Sequence, residues 1–307
     1  MQLLDNIAQK GKLSLGLVFP IESYTGSIPK MEQQEQLAKR AEELGFKALW
    51  FRDVPFHDPQ FGDAGQIYDP WIYMTHIMNH TTKIMLATGS IILPLRHPVH
   101  TAKSLASLQT LSNGRIILGV ASGDRPIEYP AFDQDIQKKG MLFRDSFAYI
   151  KALHNNFPKY ESDYYGTTNG GIDLLPKSPY QTPFLVTGHS GQSLEWIAKH
   201  ADGWLYYPRN FSFLQQTLSN WNTALEKEEQ PWKPYMQSLY LDVLENNATT
   251  PQGIHLGFKS GTTYILEHLK ALESYGVNHV IINLKYGSRP VATVLEELGE
   301  TVLPHFQ

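Results

Sequence analysis

The stretch of the chain that decides the fold is Asn113-Gly-Arg-Ile-Ile-Leu-Gly-Val-Ala-Ser-Gly-Asp-Arg125. Its positions from Ile116 to Gly119 do not alternate with polar residues, which is typical of a strand covered on both faces in a parallel sheet. The strand runs into a turn of small residues that ends in Asp124 and Arg125, where α/β proteins meet their ligands. The same residues also fit a tight turn with a surface ion pair, so the rest of the chain must decide between the two.

Strand and helix patterns alternate along the whole chain, eight of each. Strands are predicted at 13–20, 47–51, 84–93, 115–120, 184–187, 203–207, 236–244 and 279–283. Helices are predicted at 31–44, from 69, and at 97–111, 140–156, 190–200, 211–228, 262–275 and 290–303. This alternation predicts an α/β protein: a closed (β/α)8 TIM barrel, one domain over 1–307, with an insertion at about 157–181 after the fourth helix.

The composition narrows the class of protein. Charged residues make up 18% of the chain, hydrophobic residues 42%, and the formal net charge is −4, so nucleic acid is not an expected partner. Cysteine is absent, which rules out disulfides and thiolate chemistry. The sequence has no apolar run of the roughly 18 residues that a membrane helix needs, and we expect a cytoplasmic protein without membrane contact.

In such barrels the active site lies at the carboxyl ends of the strands. One strand end reads Thr187-Gly-His-Ser-Gly-Gln-Ser193, directly before a predicted helix. The hydroxyls of Ser190 and Ser193 and the free N–H groups of a first helical turn would hold a phosphate group. Ser190 also fits the simpler role of a helix N-cap.

Two other strand ends carry polar residues. Asp53, His57, Asp58 and Asp63 follow the second strand, but their spacing matches no metal-ligand pattern and we expect no metal site. His97 follows the third strand, where it is either a polar group of the site or a helix-entry residue, and a helix N-terminus would favour its neutral form.

Taken together, the motifs resemble the luciferase-like monooxygenase family. The matching stretches occur in the family's order over nearly the whole chain: Ala41 to Trp50, Asp69-Pro70, Thr82 to Pro98, Leu111 to Gly123, Gly188-His-Ser-Gly-Gln-Ser193, Ala201-Asp-Gly-Trp204 and Glu296 to Pro304. The resemblance implies a flavin lying across the mouth of the barrel. It also implies a non-prolyl cis peptide at Gly89-Ser90 beneath the flavin ring.

By position, the resemblance assigns the flavin phosphate to two turns. One contains Ser122, Gly123, Asp124 and Arg125, and the other contains Gly188, His189, Ser190 and Ser193. Asp53 and His97 would be polar groups near the reacting edge of the flavin, and we predict that they are catalytic. The insertion would face the substrate.

The chain departs from the luciferase pattern at two places. Val54 stands where luciferase has a histidine linked to its chemistry, so light emission is not expected. Ser122 stands where luciferase has a phosphate-binding arginine, and we expect Arg125 to supply that charge, since a guanidinium can bind phosphate bidentately.

The sequence therefore predicts a flavin-dependent oxidoreductase. The preferred form is a monooxygenase in which reduced FMN, supplied by a separate flavin reductase, reacts with O2 and a small organic substrate is oxidised in the barrel mouth. One alternative is an F420-dependent hydride-transfer enzyme, because that branch shares the barrel and its motifs. Another is a non-catalytic flavin-binding or interaction protein. Members of the family often form homodimers, but the sequence does not determine the oligomeric state of this chain.

Overall fold

The computed structural model of the protein describes residues 3–61 and 65–306. Eight parallel strands pair in chain order, and the eighth returns to the first, so the sheet closes into a barrel. This confirms the predicted TIM barrel. The barrel strands are β1 Ser14–Val18, β2 Ala48–Phe51, β3 Met85–Thr88, β4 Ile116–Ala121, β5 Phe184–Thr187, β6 Gly203–Tyr206, β7 Tyr235–Val243 and β8 His279–Asn283.

A helix follows each barrel strand and packs outside the barrel. The helices are α1 Gln34–Leu44, α2 Pro70–Met78, α3 Pro98–Leu111, α4 Lys139–Leu153, α5 Leu194–His200, α6 Phe211–Lys227, α7 Thr262–Tyr275 and α8 Val291–Thr301. Two helix ends carry the residues that helix ends favour: the Asp69 carboxylate accepts from the backbone of Trp71 and Ile72, and Gly45 ends α1 with φ of 104°. Within the described residues, no helix combines the length and apolar character that crossing a membrane requires.

The third predicted strand, 84–93, is two strands in the structure. It divides into β3 and the short strand Ile91–Ile92, which also pairs with β4. Between the two pieces the Gly89–Ser90 peptide bond is cis, as the resemblance implied.

Two short antiparallel hairpins extend the barrel. The first, Lys159–Ser162 with Gly166–Asn169, lies in the predicted insertion after α4. The second, Gln252–Ile254 with Gly257–Ser260, lies in the segment 245–261, for which the sequence pattern predicts a long loop. Its second strand pairs in parallel with the end of β7, so this hairpin is attached to the carboxyl edge of the barrel.

Helix α5 begins at Leu194 and not at Ser190 as predicted. Ser190 and Gly191 have φ of 49° and 72°, in the left-handed region, which a right-handed helix cannot accommodate. The side chain of Ser193 then caps the helix by accepting from the backbone N–H of Trp196.

Strands β3 and β4 approach closely at Gly119. A Cβ atom on this residue would lie 1.9 Å from the backbone oxygen of Thr88. Two non-bonded atoms cannot approach this closely, so only glycine fits at this position. The Thr88 hydroxyl donates to the Gly119 carbonyl at 2.7 Å, so the two strands are joined through a side chain at this point. Gly119 therefore sets the spacing of the strands that carry the Gly89–Ser90 bond and the Ser122 turn.

We predict that Gly119→Ala destabilises the protein by about 3 kcal/mol or more, because the new methyl group meets backbone that cannot rotate away. Gly253→Ala is the matched control, since a Cβ at Gly253 meets nothing within 4 Å. Urea unfolding of both variants checks this. Equal stability of the two would show that β3 and β4 can separate at little cost.

Candidate active site

A cavity of about 780 Å³ opens at the carboxyl ends of the barrel strands. This volume lies in the range of roughly 300–1,000 Å³ that is usual for small-molecule sites. Ten of the twelve residues predicted for the site line it: Asp53, Gly89, Ser90, Ser122, Gly123, Asp124, Arg125, Gly188, His189 and Ser190. The structure therefore brings the two predicted turns to one cavity.

The turns after β4 and β5 are joined by hydrogen bonds. The backbone N–H of Ser122 donates to the Ser190 hydroxyl at 3.2 Å, and that hydroxyl donates to the Thr187 carbonyl at 2.8 Å. The Ser90 hydroxyl lies against the Thr187 hydroxyl and forms a short hydrogen bond with it. Gly123 and Gly188 both have positive φ, so each turn bends its backbone toward the cavity without a side chain in the way.

Arg125 is only 7% exposed although it lines the cavity. Its guanidinium lies over the Phe61 ring at 4.3 Å from the centroid and donates to the Phe56 carbonyl at 3.3 Å. An ion pair of 3.8 Å joins its Nη1 atom to Oε1 of Glu128. The cation is thus held at the cavity wall by an aromatic ring and a carboxyl group.

Glu128 is a cavity residue that the sequence reasoning missed. It is 4% exposed, and its Oε1 atom has no hydrogen-bond partner among the described residues. Burial raises the pKa of this carboxyl, Arg125 opposes the rise, and the nearby Asp53 and Asp124 add to it. The sequence shows only that Glu128 follows Arg125 by three residues; in the structure Glu128 lies on the 3₁₀ segment Pro126–Phe132, directly after Arg125.

The carboxylate of Asp53 is engaged by Arg96. Two hydrogen bonds of 2.7 Å join the guanidinium to both carboxylate oxygens, and the Ile92 backbone N–H donates to one of them at 3.1 Å. Arg96 also contacts Asp69 at 2.8 Å, which ties the end of β2 to the start of α2. Asp53 lines the cavity, where this bidentate pairing holds its carboxylate in place, and its catalytic role stays a prediction.

His97 and Ser193 do not reach the cavity, and both predictions are corrected on this point. The exposed His97 ring caps α3, accepting from the Val99 backbone N–H at 3.3 Å, and faces Tyr165. Ser193 is exposed and uses its hydroxyl to cap α5. The direction in which a strand-end side chain points depends on the helix that follows, which the motif does not specify.

The floor of the cavity is apolar. It is formed by side chains from four strands: Val18, Trp50, Leu205 and Ile281. Beneath it, the Trp50 indole N–H donates to Nε2 of the buried His279 at 3.0 Å, and Nδ1 of that histidine lies 2.6 Å from the Ser14 hydroxyl. Burial lowers the pKa of His279 to about 3, so the ring is a neutral part of the barrel interior.

Aromatic side chains line the outer part of the cavity. Tyr206 ends β6 and Tyr207 follows it, and their ring centroids are 5.9 Å apart. Tyr240 from β7 packs against Tyr286 at 5.3 Å and against His255 at 5.9 Å. His255 is carried by the second hairpin, so the segment predicted as a loop contributes to the wall.

No metal centre is found within residues 3–61 and 65–306, where no three His, Asp or Glu side chains are arranged to hold an ion. Asp63, which the sequence analysis weighed as a ligand together with Asp53, lies outside the described residues.

Comparison with known proteins identifies the family. Residues 13–244 match the model of the family described as luciferase-like monooxygenase. The chain belongs to this family. Its members are flavin- or F420-dependent oxidoreductases, which accounts for a cavity that combines an apolar floor with polar turns at the strand ends.

Two curated relatives carry different names. The alkanal monooxygenase alpha chain of Photorhabdus luminescens is 25% identical over 169 residues, covering 54% of this chain and 44% of the relative. The F420-dependent hydroxymycolic acid dehydrogenase of Mycobacterium tuberculosis is 26% identical over 182 residues, covering 57% and 49%. The chain thus matches about half the length of these two enzymes.

Solved structures agree on the fold over most of the chain. An F420-dependent secondary alcohol dehydrogenase superposes with a TM-score of 0.77 at 16% identity, covering 96% of this chain and 99% of that one. The FMN-bound oxygenating constituent of 3,6-diketocamphane monooxygenase from Pseudomonas putida gives 0.73 at 12% identity, with coverage of 96% and 99%. At such identities the likeness establishes the barrel and leaves the cofactor to be argued from the site.

We predict that Glu128→Gln changes how stability depends on pH. Because the folded-state pKa of Glu128 is raised above its ordinary value of 4.5, ionisation is less favourable in the folded protein than in the unfolded one. The free energy of unfolding of the wild type should therefore fall relative to that of the variant as pH rises through 4.5, and level off above the folded-state pKa. Urea unfolding of both proteins over this pH range measures the difference, and a difference independent of pH would contradict the prediction.

Proposed function

We propose that the protein is an FMN-dependent monooxygenase that oxidises a small organic substrate with O2. The observation that carries this proposal is the pair of turns joined by the Ser122–Ser190 hydrogen bond, beside an apolar floor and the Arg125 guanidinium. A flavin mononucleotide combines a flat, largely apolar ring with one phosphate, and this cavity offers a surface for each. Membership of the luciferase-like family supports the same assignment.

The phosphate would be bound by the turns after β4 and β5. Backbone N–H groups in turns with positive φ form concavities that attract anions, and Gly123, Gly188 and Ser190 supply such geometry here. Arg125 would supply the positive charge, since it lines the same cavity. Ser122 would add a hydroxyl group to this cradle, whereas the Ser190 hydroxyl already donates to the Thr187 carbonyl and would fix the shape of the turn.

The ring would lie on the floor made by Trp50 and its apolar neighbours. A Cβ on Gly89 would approach the Trp50 ring to 3.3 Å, so the missing side chain keeps this surface accessible to a planar group. Ser90 is fixed by its hydrogen bond to Thr187 and would support the ring from below. The buried Asp53–Arg96 pair would keep this part of the wall rigid.

When bound in its reduced form, the flavin supplies the electrons for the reaction with O2, and a separate reductase would deliver it. The protein would bind and orient the flavin and the substrate, and it would exclude water from the reacting groups. The outer wall, built from Tyr207, Tyr240, Tyr286 and His255, would receive the organic substrate.

Hydride transfer with F420 is the second candidate. The observation that favours it is Glu128, a cavity-lining carboxyl with a raised pKa, which could exchange a proton with a substrate alcohol or ketone. The likeness of the barrel to an F420-dependent alcohol dehydrogenase is compatible with this alternative.

Fluorescence titration of the purified protein with FMN, reduced FMN and F420 tests both candidates. We expect saturable binding of FMN or reduced FMN, tighter than that of F420. Failure of all three to bind below about 100 µM, or about −5.5 kcal/mol, would rule out the flavin assignment. Tighter binding of F420 would favour hydride transfer, and FMN binding without oxidation of any substrate would favour a non-catalytic flavin carrier.

We predict that Arg125→Met weakens FMN binding about 10- to 100-fold, the loss expected for one charge-assisted hydrogen bond. Riboflavin, which lacks the phosphate, should lose about threefold or less. Arg40→Met, on α1 and away from the cavity, is the control for loss of one positive charge. Equal losses for FMN and riboflavin would remove Arg125 from the phosphate site.

A further inference from the structure

Glu128 sits in an unusual position for an acidic residue. Its side chain is 4% exposed and lines the cavity, and within the described residues its Oε1 atom accepts no hydrogen bond. The nearest cation is Arg125, whose Nη1 lies 3.8 Å from this oxygen, beyond hydrogen-bonding distance. Arg125 is therefore the cation that stabilises the negative charge of this carboxyl, through one long ion pair.

We propose that Glu128 takes up a proton when a phosphate group binds at Arg125, so that the site accepts a phosphorylated ligand together with one proton. The inference rests on the proposed FMN site and deepens it by naming the residue that balances the charge of the phosphate. Before binding, the Arg125 cation is shared with Glu128. After binding, the phosphate oxygens take the guanidinium, and the carboxylate is left buried beside a new negative charge.

The two acidic groups near Glu128 act against its negative charge, and little opposes them once Arg125 is engaged. Asp124 and Asp53 both disfavour its ionisation, and the charge of Asp53 is already engaged by Arg96. The Tyr129 hydroxyl donates to the Ser122 carbonyl and is therefore occupied. What remains is a hydrogen bond from the Phe56 backbone, which stabilises the carboxylate only in part.

Protonation also makes the carboxyl group a hydrogen-bond donor. A neutral Glu128 carries an O–H group that can donate to a phosphate oxygen, and its buried Oε1 has no hydrogen-bond partner among the described residues although the residue lines the cavity. The pair would then bind the anion with a guanidinium on one side and a carboxylic acid on the other. A flavin without a phosphate would trigger neither change.

Isothermal titration calorimetry of FMN binding tests the proposal. Titrations at one pH in buffers of different ionisation enthalpy give the number of protons taken up, and we expect about one per FMN at neutral pH. The Kd for FMN should accordingly rise about tenfold per pH unit where uptake is complete. Riboflavin should bind without proton uptake.

Glu128→Gln should bind FMN without proton uptake and with a Kd that no longer follows pH. Glu226→Gln, which removes an exposed carboxyl on α6 away from the cavity, should keep the uptake of the wild type. The second pKa of the phosphate itself is about 6, so a phosphate bound as its monoanion would also take up a proton. In that case uptake would persist in Glu128→Gln, and the proposal would be overturned.

Infrared difference spectra of the wild type provide a second readout if Glu128→Gln does not fold. Addition of FMN should produce the C=O band of a protonated carboxyl, and addition of riboflavin should not. FMN binding without proton uptake overturns the proposal and leaves the flavin site intact. Absence of FMN binding overturns both.

Discussion

The close approach of β3 and β4 at Thr88 and Gly119 is the constraint on which the site depends. The Thr88 backbone oxygen occupies the space that a side chain at Gly119 would need, and the Thr88 hydroxyl bonds to the Gly119 carbonyl. Because the two strands are held this closely, the residues that follow them lie close together. Ser90 follows the first strand and bonds to the Thr187 hydroxyl at the end of β5, and Ser122 follows the second and donates to the Ser190 hydroxyl in the turn after β5.

Much of the fold could be predicted from the sequence because the signals are local and repeated. Unbroken apolar runs such as Ile116 to Gly119 mark strands covered on both sides, and Asp69-Pro70 and Gly45 mark helix ends through their own backbone chemistry. Eight repetitions of strand and helix leave few other ways to close the sheet. The second hairpin, 252–260, was not predicted because its pairing with β7 is a tertiary contact, and such short strands carry no local sequence pattern that indicates it.

The site was predicted less completely, for a physical reason. The sequence indicates which strand end a residue follows, but the direction of its side chain depends on partners distant along the chain. Asp53 is engaged by Arg96, which lies 43 positions later, and His97 turns outward to cap its own helix. Glu128 was overlooked because its role depends on the burial of its carboxyl group beside a buried arginine, and burial cannot be read from the sequence.

The pairing of Arg125 with Glu128 bears on how the chain would supply a positive charge for a phosphate. With serine at position 122, the positive charge that a phosphate needs must come from a residue that can be buried while the cavity contains no anion. A lone buried guanidinium would be costly, and Phe61 and Glu128 reduce that cost by stacking on it and by offsetting its charge. The contact is long, and one carboxyl oxygen has no hydrogen-bond donor among the described residues, so the pair is weaker than a bidentate one such as Arg96 with Asp53. A strong pair would compete with the proposed phosphate for Arg125, whereas a weak one would hold the guanidinium in place and still let it bind that phosphate.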